Sequence, residues 1–327
     1  MRSALPKVLH PLCGRPMLAH VLAVANALDA VETAVVLAAD TIEQVRAVCG
    51  EASPAGQPYR YVVQAERLGT AHAVLQARDA LRGRTDEVLV LLGDVPLLTP
   101  KTAGRLLELR RASGALVALL SFHAHPPTGY GRVVRDAQGR VTALVEERDA
   151  TPEQRAITEV NSGLMVFDAA WLWEALDRIE RSPVKGEYYL TSAIALAVAD
   201  RGPGAAVALV ADAVEGLGVN DRVQLAEAEA ALRRRLLEGL MRSGVTVVDP
   251  AATYIDVGVT VGPDTRLEPG TVLRGKTSVG ARCLIGPHTT LVDTCVGDGA
   301  QVRHSVAESA EIPAGADVGP FAHVRGS

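Results

Sequence analysis

Four segments of the sequence place polar residues where an open α/β sheet binds ligands, beyond the carboxyl ends of its strands. In VLVLLGDVPLL, Asp94 follows an apolar run and Gly93 at the point where a buried strand emerges. A carboxylate there is placed to bind a metal ion, although Asp also caps turns. In VVQAERLGTAHAV a strand runs into Gln64, and Gly69 and Thr70 then open a helix. A glutamine can pair with an amide-bearing base, and the glycine lets backbone amides approach a ligand; a Gly-Thr pair is also an ordinary helix cap. Lys7, in LPKVLHPLCGRPML, is one cation near a turn and by itself reads as a solvated lysine as readily as a phosphate ligand. The fourth group is scattered: Gly131 in TGYGRV, Glu146 in LVEERDA, Asn161 in EVNSGLMVFD and Asn220 in EGLGVNDR.

The elements that must position these residues alternate apolar, β-rich runs with amphipathic stretches, the pattern of a mostly parallel sheet flanked by helices. Strands are expected at Thr33 to Ala39, Arg60 to Gln64, Glu87 to Leu92, Ala115 to Ser121 and Val207 to Ala211. Helices are expected at Pro16 to Leu28, Thr41 to Cys49, Thr70 to Leu81 and Thr102 to Ala112, several opened by Thr or Pro. GRVVRD and RVTALVEE, separated by Gln138 and Gly139, read as a β-hairpin that could cover a cleft. From Asp221 to Met241 the sequence becomes rich in Ala, Leu, Glu and Arg, with Leu225, Ala228, Leu232, Leu236 and Leu240 on one helical face.

Beyond that helix the period changes. Ile255, Val261, Leu267, Leu273, Val279, Ile285 and Leu291 recur every six residues; the register slips, resumes at Val296 and Val302, then at Val306, Ile312, Val318 and Val324. Gly262, Gly280 and Gly286 follow the aliphatic where a corner would need freedom in φ. This is the hexapeptide signature of a parallel β-helix, roughly four coils in the length available.

The bulk composition sets limits. At 327 residues, 48% hydrophobic and 22% charged, the chain can hold two cores. A net charge of -5 with dispersed Lys and Arg gives no footprint for nucleic acid and favours a small-molecule substrate. No run is long enough to span a membrane and the first residues lack a signal-peptide core, so a cytoplasmic location is expected. Cys13, Cys49, Cys283 and Cys295 form no CxxC pair and are expected as reduced thiols.

In this order, PKVLHPLCGRPM, QAERLGTAHA, GDVPLL, GYGRV, VEERDA, VNSG, KGEYYLT, GVNDR and hexapeptides ending in GPFAHVR closely resemble the bacterial bifunctional N-acetylglucosamine-1-phosphate uridyltransferase and glucosamine-1-phosphate N-acetyltransferase family. The resemblance runs over essentially the whole chain. It implies a Rossmann-like α/β nucleotidyltransferase domain over residues 1–220, a linker helix over 221–248 and a left-handed β-helix over 249–327, trimerising through that helix. It implies transfer of UMP from UTP to N-acetylglucosamine-1-phosphate, with no protein nucleophile. Lys7 would contact the nucleotide phosphates and serve catalysis; Gln64, Gly69 and Thr70 the uracil end; Leu92, where an aromatic is common, and Gly93 the nucleotide pocket. Asp94 and Asn220 would hold Mg²⁺, and Gly131, Glu146 and Asn161 the acetylated sugar.

The sequence also departs from that family. The family's first strand and its LAAGxGTRM turn, with a catalytic arginine, are not found ahead of PKVLHPL; a misassigned start codon would produce this difference. The β-helix is shorter, and only Arg325 matches a residue of the acetyl-transferring site. His288, His304 and His323 do not match its catalytic histidine and read as exposed solenoid residues, so acetyl transfer is not expected. Two other readings stand beside uridylyl transfer: a catalytically silent trimeric assembly unit, and a nucleotidyltransferase for another sugar-1-phosphate.

Overall fold

The computed structural model describes residues 1–183 and 186–326. Lys185, in the KGEYYLT motif, lies outside them. The chain divides into two compact units, Met1–His10 with Met17–Asn220, and Pro11–Pro16 with Asp221 onward.

The strands of the first unit are β1 (Thr33–Ala38), β2 (Tyr59–Gln64), β3 (Glu87–Val90), β4 (Val117–His123), β5 (Arg132–Arg135), β6 (Val141–Val145), β7 (Glu159–Asp168) and β8 (Ala206–Val210). Among them run α1 (Met17–Ala27), α2 (Ile42–Cys49), α3 (Thr70–Gln76), α4 (Pro100–Ser113), α5 (Ala169–Leu176) and α6 (Ser192–Arg201). β7 is the centre of a six-stranded sheet. β4 runs antiparallel along one edge of it, with β8 parallel to β4 beyond; the other edge is shared between β3, opposite Met165 to Asp168, and the β5–β6 hairpin, opposite Val160. β1 and β2 pair in parallel as a separate ladder.

The expected mostly parallel sheet is therefore corrected to a mixed one. The polar triplet Asn161-Ser162-Gly163 breaks the apolar run of β7, and Gly163 adopts φ +85° opposite an irregularity between Leu119 and Ser121. A strand interrupted in this way loses the alternation that identifies it.

Alternation along β4 and β7 divides the core between two faces. Val117, Leu119, Met165 and Phe167 pack with Leu172 and Trp173 of α5 and Ile194 of α6. Ala118, Leu120, Leu164 and Val166 pack with Val24 of α1 and Leu106 of α4. Each large apolar side chain buried here contributes about 1.5–3 kcal/mol.

In the second unit, α7 (Arg222–Arg242) is capped by Asp221, whose Oδ1 accepts from Val223 N at 2.9 Å and Gln224 N at 2.8 Å. Its buried face carries Ala228, Leu232 and Leu237. A left-handed parallel β-helix follows, with three ladders of two- and three-residue strands from Thr246–Val247 to His323–Arg325. Leu267, Leu273, Ile285 and Leu291 are fully buried in its core.

Two details of the hexapeptide reading change. Val306 is 38% exposed, while Ala307 is fully buried in register with Leu291 and Val324. Besides the five-residue step before Val296, the solenoid thus takes two more, before Ala307 and before Ile312, where the larger aliphatic at Val306 suggested a different register. Of the three corner glycines, Gly286 has a left-handed φ of +99°, but Gly262 and Gly280 do not. A Cβ on Gly262 would stand 2.6 Å from Ala281 N, and one on Gly280 would stand 2.4 Å from Asp298 Oδ1; close approach between coils is what demands glycine there. A second inward position, two residues ahead of the aliphatic, is filled by Thr265, Thr271, Thr277 and Thr289, each donating to a carbonyl of the next coil. All four cysteines are free, Cys13 and Cys283 buried and Cys295 exposed.

Candidate functional site

A short turn, Lys7–Leu9, is set by Pro6 and brings Lys7 beside the exit of β3. Its Nζ donates to Asp94 Oδ2 at 2.6 Å and to Asn220 Oδ1 at 3.1 Å. Gly93 permits this approach, because a Cβ there would already stand 3.2 Å from Val8. Asn220 is brought in by the backbone, Val219 N donating to Asp94 O at 2.8 Å.

From this cation and its two oxygen partners a cleft of about 220 Å³ extends along the end of β7. Of the residues singled out in the sequence, Thr70, Leu92, Asp94, Gly131, Glu146, Asn161 and Asn220 line it. Asn161 is 8% exposed, and its Oδ1 accepts from Gly163 N at 3.0 Å. Gly131 O accepts from Asn161 N at 2.9 Å, which fixes the Gly129–Gly131 loop over β7. Leu92 packs on Gly163, where a Cβ would collide with it.

Gln64, Gly69 and Thr70 stand together where β2 meets α3. Gln64 Nε2 donates to Gly69 O at 3.2 Å and lies 3.0 Å from His72 Nδ1. Gly69, at φ +103°, makes room for the Tyr188 backbone, and Thr70 Oγ1 accepts from Leu190 N. Arg325 belongs to the other unit, exposed on the last β-helix strand, where it donates to Glu308 and His323.

Three residues that no sequence feature assigned to the site hold it in shape. Thr191 Oγ1 donates to Glu146 Oε1 at 3.0 Å; it is the threonine of KGEYYLT, the one signal that could have found it. Arg132 is 2% exposed and donates to Tyr130 O and to Glu147 Oε1, while Glu147 Oε2 accepts from Gly129 N at 2.8 Å. The Gly129 amide, joined by Arg132 against the cost of burial, holds the Glu147 carboxyl below its usual range.

The family profile described as Nucleotidyl transferase matches residues 2–213. Across 325 residues the chain is 42% identical to the "Bifunctional protein GlmU" of Enterococcus faecalis, an overlap of 99% of this chain and 69% of that protein. It is 46% identical over 325 residues to the protein of that name from Corynebacterium efficiens, covering 99% and 67% of the two chains. For Streptomyces avermitilis the identity is 46% over 327 residues, with 99% and 67% covered.

The chain belongs to the GlmU family.

It is a sugar-phosphate uridylyltransferase family member by that relation. Nucleotidyl transferases of the GlmU type generally use a divalent metal, and the donors here fit one. A carboxylate and an amide oxygen already converge on a single positive charge, the Lys7 ammonium. Oxygens are the ligands of hard cations, and two of them leave the remaining coordination to water and phosphate. Among the described residues no group of three His, Cys, Asp or Glu forms an all-protein cage, and no helix is long and apolar enough to cross a membrane.

Proposed function

We propose that this GlmU family member transfers UMP from UTP to N-acetylglucosamine-1-phosphate with Mg²⁺, giving UDP-N-acetylglucosamine and pyrophosphate. The observation that carries the reading is the convergence of Lys7, Asp94 and Asn220 at the mouth of the cleft lined by Gly131, Glu146 and Asn161. An oxygen of the sugar phosphate attacks the α-phosphorus of UTP, and the bond from that phosphorus to the pyrophosphate oxygen breaks. Positioning and charge neutralisation supply the catalysis, so no nucleophilic side chain is needed.

In this reading Gly131, Glu146 and Asn161 bind sugar hydroxyls and the acetamido group. Gln64, Gly69 and Thr70 meet the uracil, with Leu92 and Gly93 walling the nucleotide. Lys7 neutralises phosphate charge. Asp94 and Asn220 would hold Mg²⁺, which supplies positive charge opposite the phosphate oxygens. Residues 1–220 form the catalytic domain, 221–248 the linker and 249–327 a stem through which the chain trimerises in the cytoplasm. Arg325 is assigned to substrate binding by its family position alone.

Pyrophosphate release with UTP, Mg²⁺ and N-acetylglucosamine-1-phosphate tests the reading. Release that requires all three supports it; faster release with ATP or dTTP, or with glucose-1-phosphate, replaces it by a nucleotidyltransferase of other specificity. A silent trimeric assembly unit is the second reading. Turnover rejects it.

A further inference from the structure

Asp94 and Asn220 reach Lys7 from separate stretches of chain, Asp94 beyond the end of β3 and Asn220 beyond the end of β8. Two cross-links join those stretches. One is the backbone bond from Val219 N to Asp94 O at 2.8 Å. The other lies farther out on both sides, between Thr99, five residues after Asp94, and Glu215, five residues before Asn220. Glu215 Oε2 accepts from Thr99 N at 2.9 Å and from Thr99 Oγ1 at 3.0 Å, and Oε1 accepts from Thr102 Oγ1 at 2.9 Å.

Three donors on one half-buried carboxylate exceed what capping of α4 requires. Thr99 already caps that helix by accepting from Thr102 N at 3.2 Å. What Glu215 adds is an anchor for its own segment. Between Glu215 and Asn220 stand Gly216 and Gly218, both lining the cleft. Gly216 is buried against the Phe122 ring, where a Cβ would stand 2.4 Å from Cδ1. A stretch with two glycines has little stiffness of its own, so the placement of Asn220 relative to Asp94 depends on what holds the ends of the stretch.

We propose that Glu215 is a positioning residue for the metal site: by gripping Thr99 and Thr102 it fixes the spacing of Asp94 and Asn220, and that spacing favours a small divalent cation, Mg²⁺, over a larger one, Ca²⁺. Mg²⁺ demands near-ideal octahedral geometry with oxygens at about 2.0–2.1 Å, whereas Ca²⁺ accepts oxygens at about 2.3–2.6 Å in flexible arrangements. A pair of oxygens free to drift apart therefore loses the smaller ion first. Groups that orient metal ligands are worth about 10–100-fold in metal affinity. The inference rests on the proposed use of Asp94 and Asn220 as metal ligands, and its test reads ion binding without turnover.

Mn²⁺ binding to the full chain without nucleotide, followed by water-proton relaxation, is competed with Mg²⁺ and separately with Ca²⁺. Glu215→Ala should weaken Mg²⁺ by about tenfold or more and Ca²⁺ by less than about threefold. Glu215→Gln should restore most of the Mg²⁺ affinity, since its Oε1 still accepts from the Thr99 amide and its Nε2 can donate to a threonine hydroxyl. Thr102→Val deletes one donor and leaves the Thr99 side chain at the start of α4; it should weaken Mg²⁺ by about threefold with Ca²⁺ unchanged, and it serves in place of Glu215→Ala if that variant does not fold. Equal losses for the two ions would make Glu215 a helix anchor alone and overturn the proposal, as would unchanged Mg²⁺ affinity. A parent chain that binds no Mn²⁺, or an Asp94→Asn variant that binds it as tightly as the parent, would remove the metal assignment itself and the inference with it.

Discussion

Lys7 Nζ lies 2.6 Å from Asp94 Oδ2, so the lysine at the mouth of the cleft is held by the carboxylate proposed to bind the metal. Both side chains are partly exposed, 36% and 24%, and the pair therefore contributes little to stability. Asp94→Asn should lower turnover by about 10²–10³-fold, the loss typical of an electrostatic group at a reacting centre. Its melting temperature should stay close to that of the parent. Pyrophosphate release and a thermal melt on one preparation check both halves of the prediction.

Lys7→Met separates the two partners. Turnover should fall by a similar factor, while Mn²⁺ binding without nucleotide, followed by water-proton relaxation, should tighten because the ammonium no longer competes for Asp94 and Asn220. Weaker Mn²⁺ binding in this variant would count against a shared cation site.

Glu147 should make the proposed sugar end of the cleft sensitive to acid. A carboxyl with a depressed folded-state pKa contributes stability above its unfolded value, about 4.3, and that contribution is lost as pH falls through the lower folded value. Ordering of Gly129–Gly131 should therefore hold from neutrality to about pH 5 and decline only below the ordinary glutamate range. Glu147→Gln should raise KM for the sugar phosphate by about three- to tenfold at neutral pH with a smaller change in kcat. A KM unchanged by the substitution would show that this contact does not shape the sugar site.

The revised solenoid register has its own test. Val306→Ala, at an exposed position, should change stability by less than about 0.5 kcal/mol. Ala307→Leu, forced between Leu291 and Val324, should cost about 1–3 kcal/mol in denaturant unfolding. The reverse ranking would restore Val306 to the core.

How much of this was readable from the sequence depended on the reach of the determining contacts. The six-residue period marked the β-helix because every coil repeats one local rule; the place where it misled, Val306, is where a small residue satisfied that rule in place of a large one. Asp94 was conspicuous because a carboxylate after an apolar run has few alternatives. β7 was hidden by its own polar triplet, and Arg132 and Thr191 act through partners 15 and 45 residues away, which no local pattern encodes.

Thiol chemistry offers an independent check on packing. Burial, with Glu229 adding to it, pushes the Cys13 thiol up, and burial does the same at half-buried Cys49. In the native protein a chromogenic disulfide reagent should titrate exposed Cys295 first, with Cys13 and Cys283 reacting only on unfolding. Rapid reaction of three or more thiols would place Cys13 or Cys283 at the surface.

β7 supplies Asn161 to the cleft and Val166 and Phe167 to the middle of the core, within one ten-residue strand. The floor of the cleft proposed to take the sugar is thus made of the same backbone that keeps the domain folded, and it cannot be reshaped without unfolding risk. Evolutionary change in which sugar is accepted must then come from the Gly129–Gly131 rim or from the Thr191 segment, so the fold itself limits the routes by which this enzyme family can diversify.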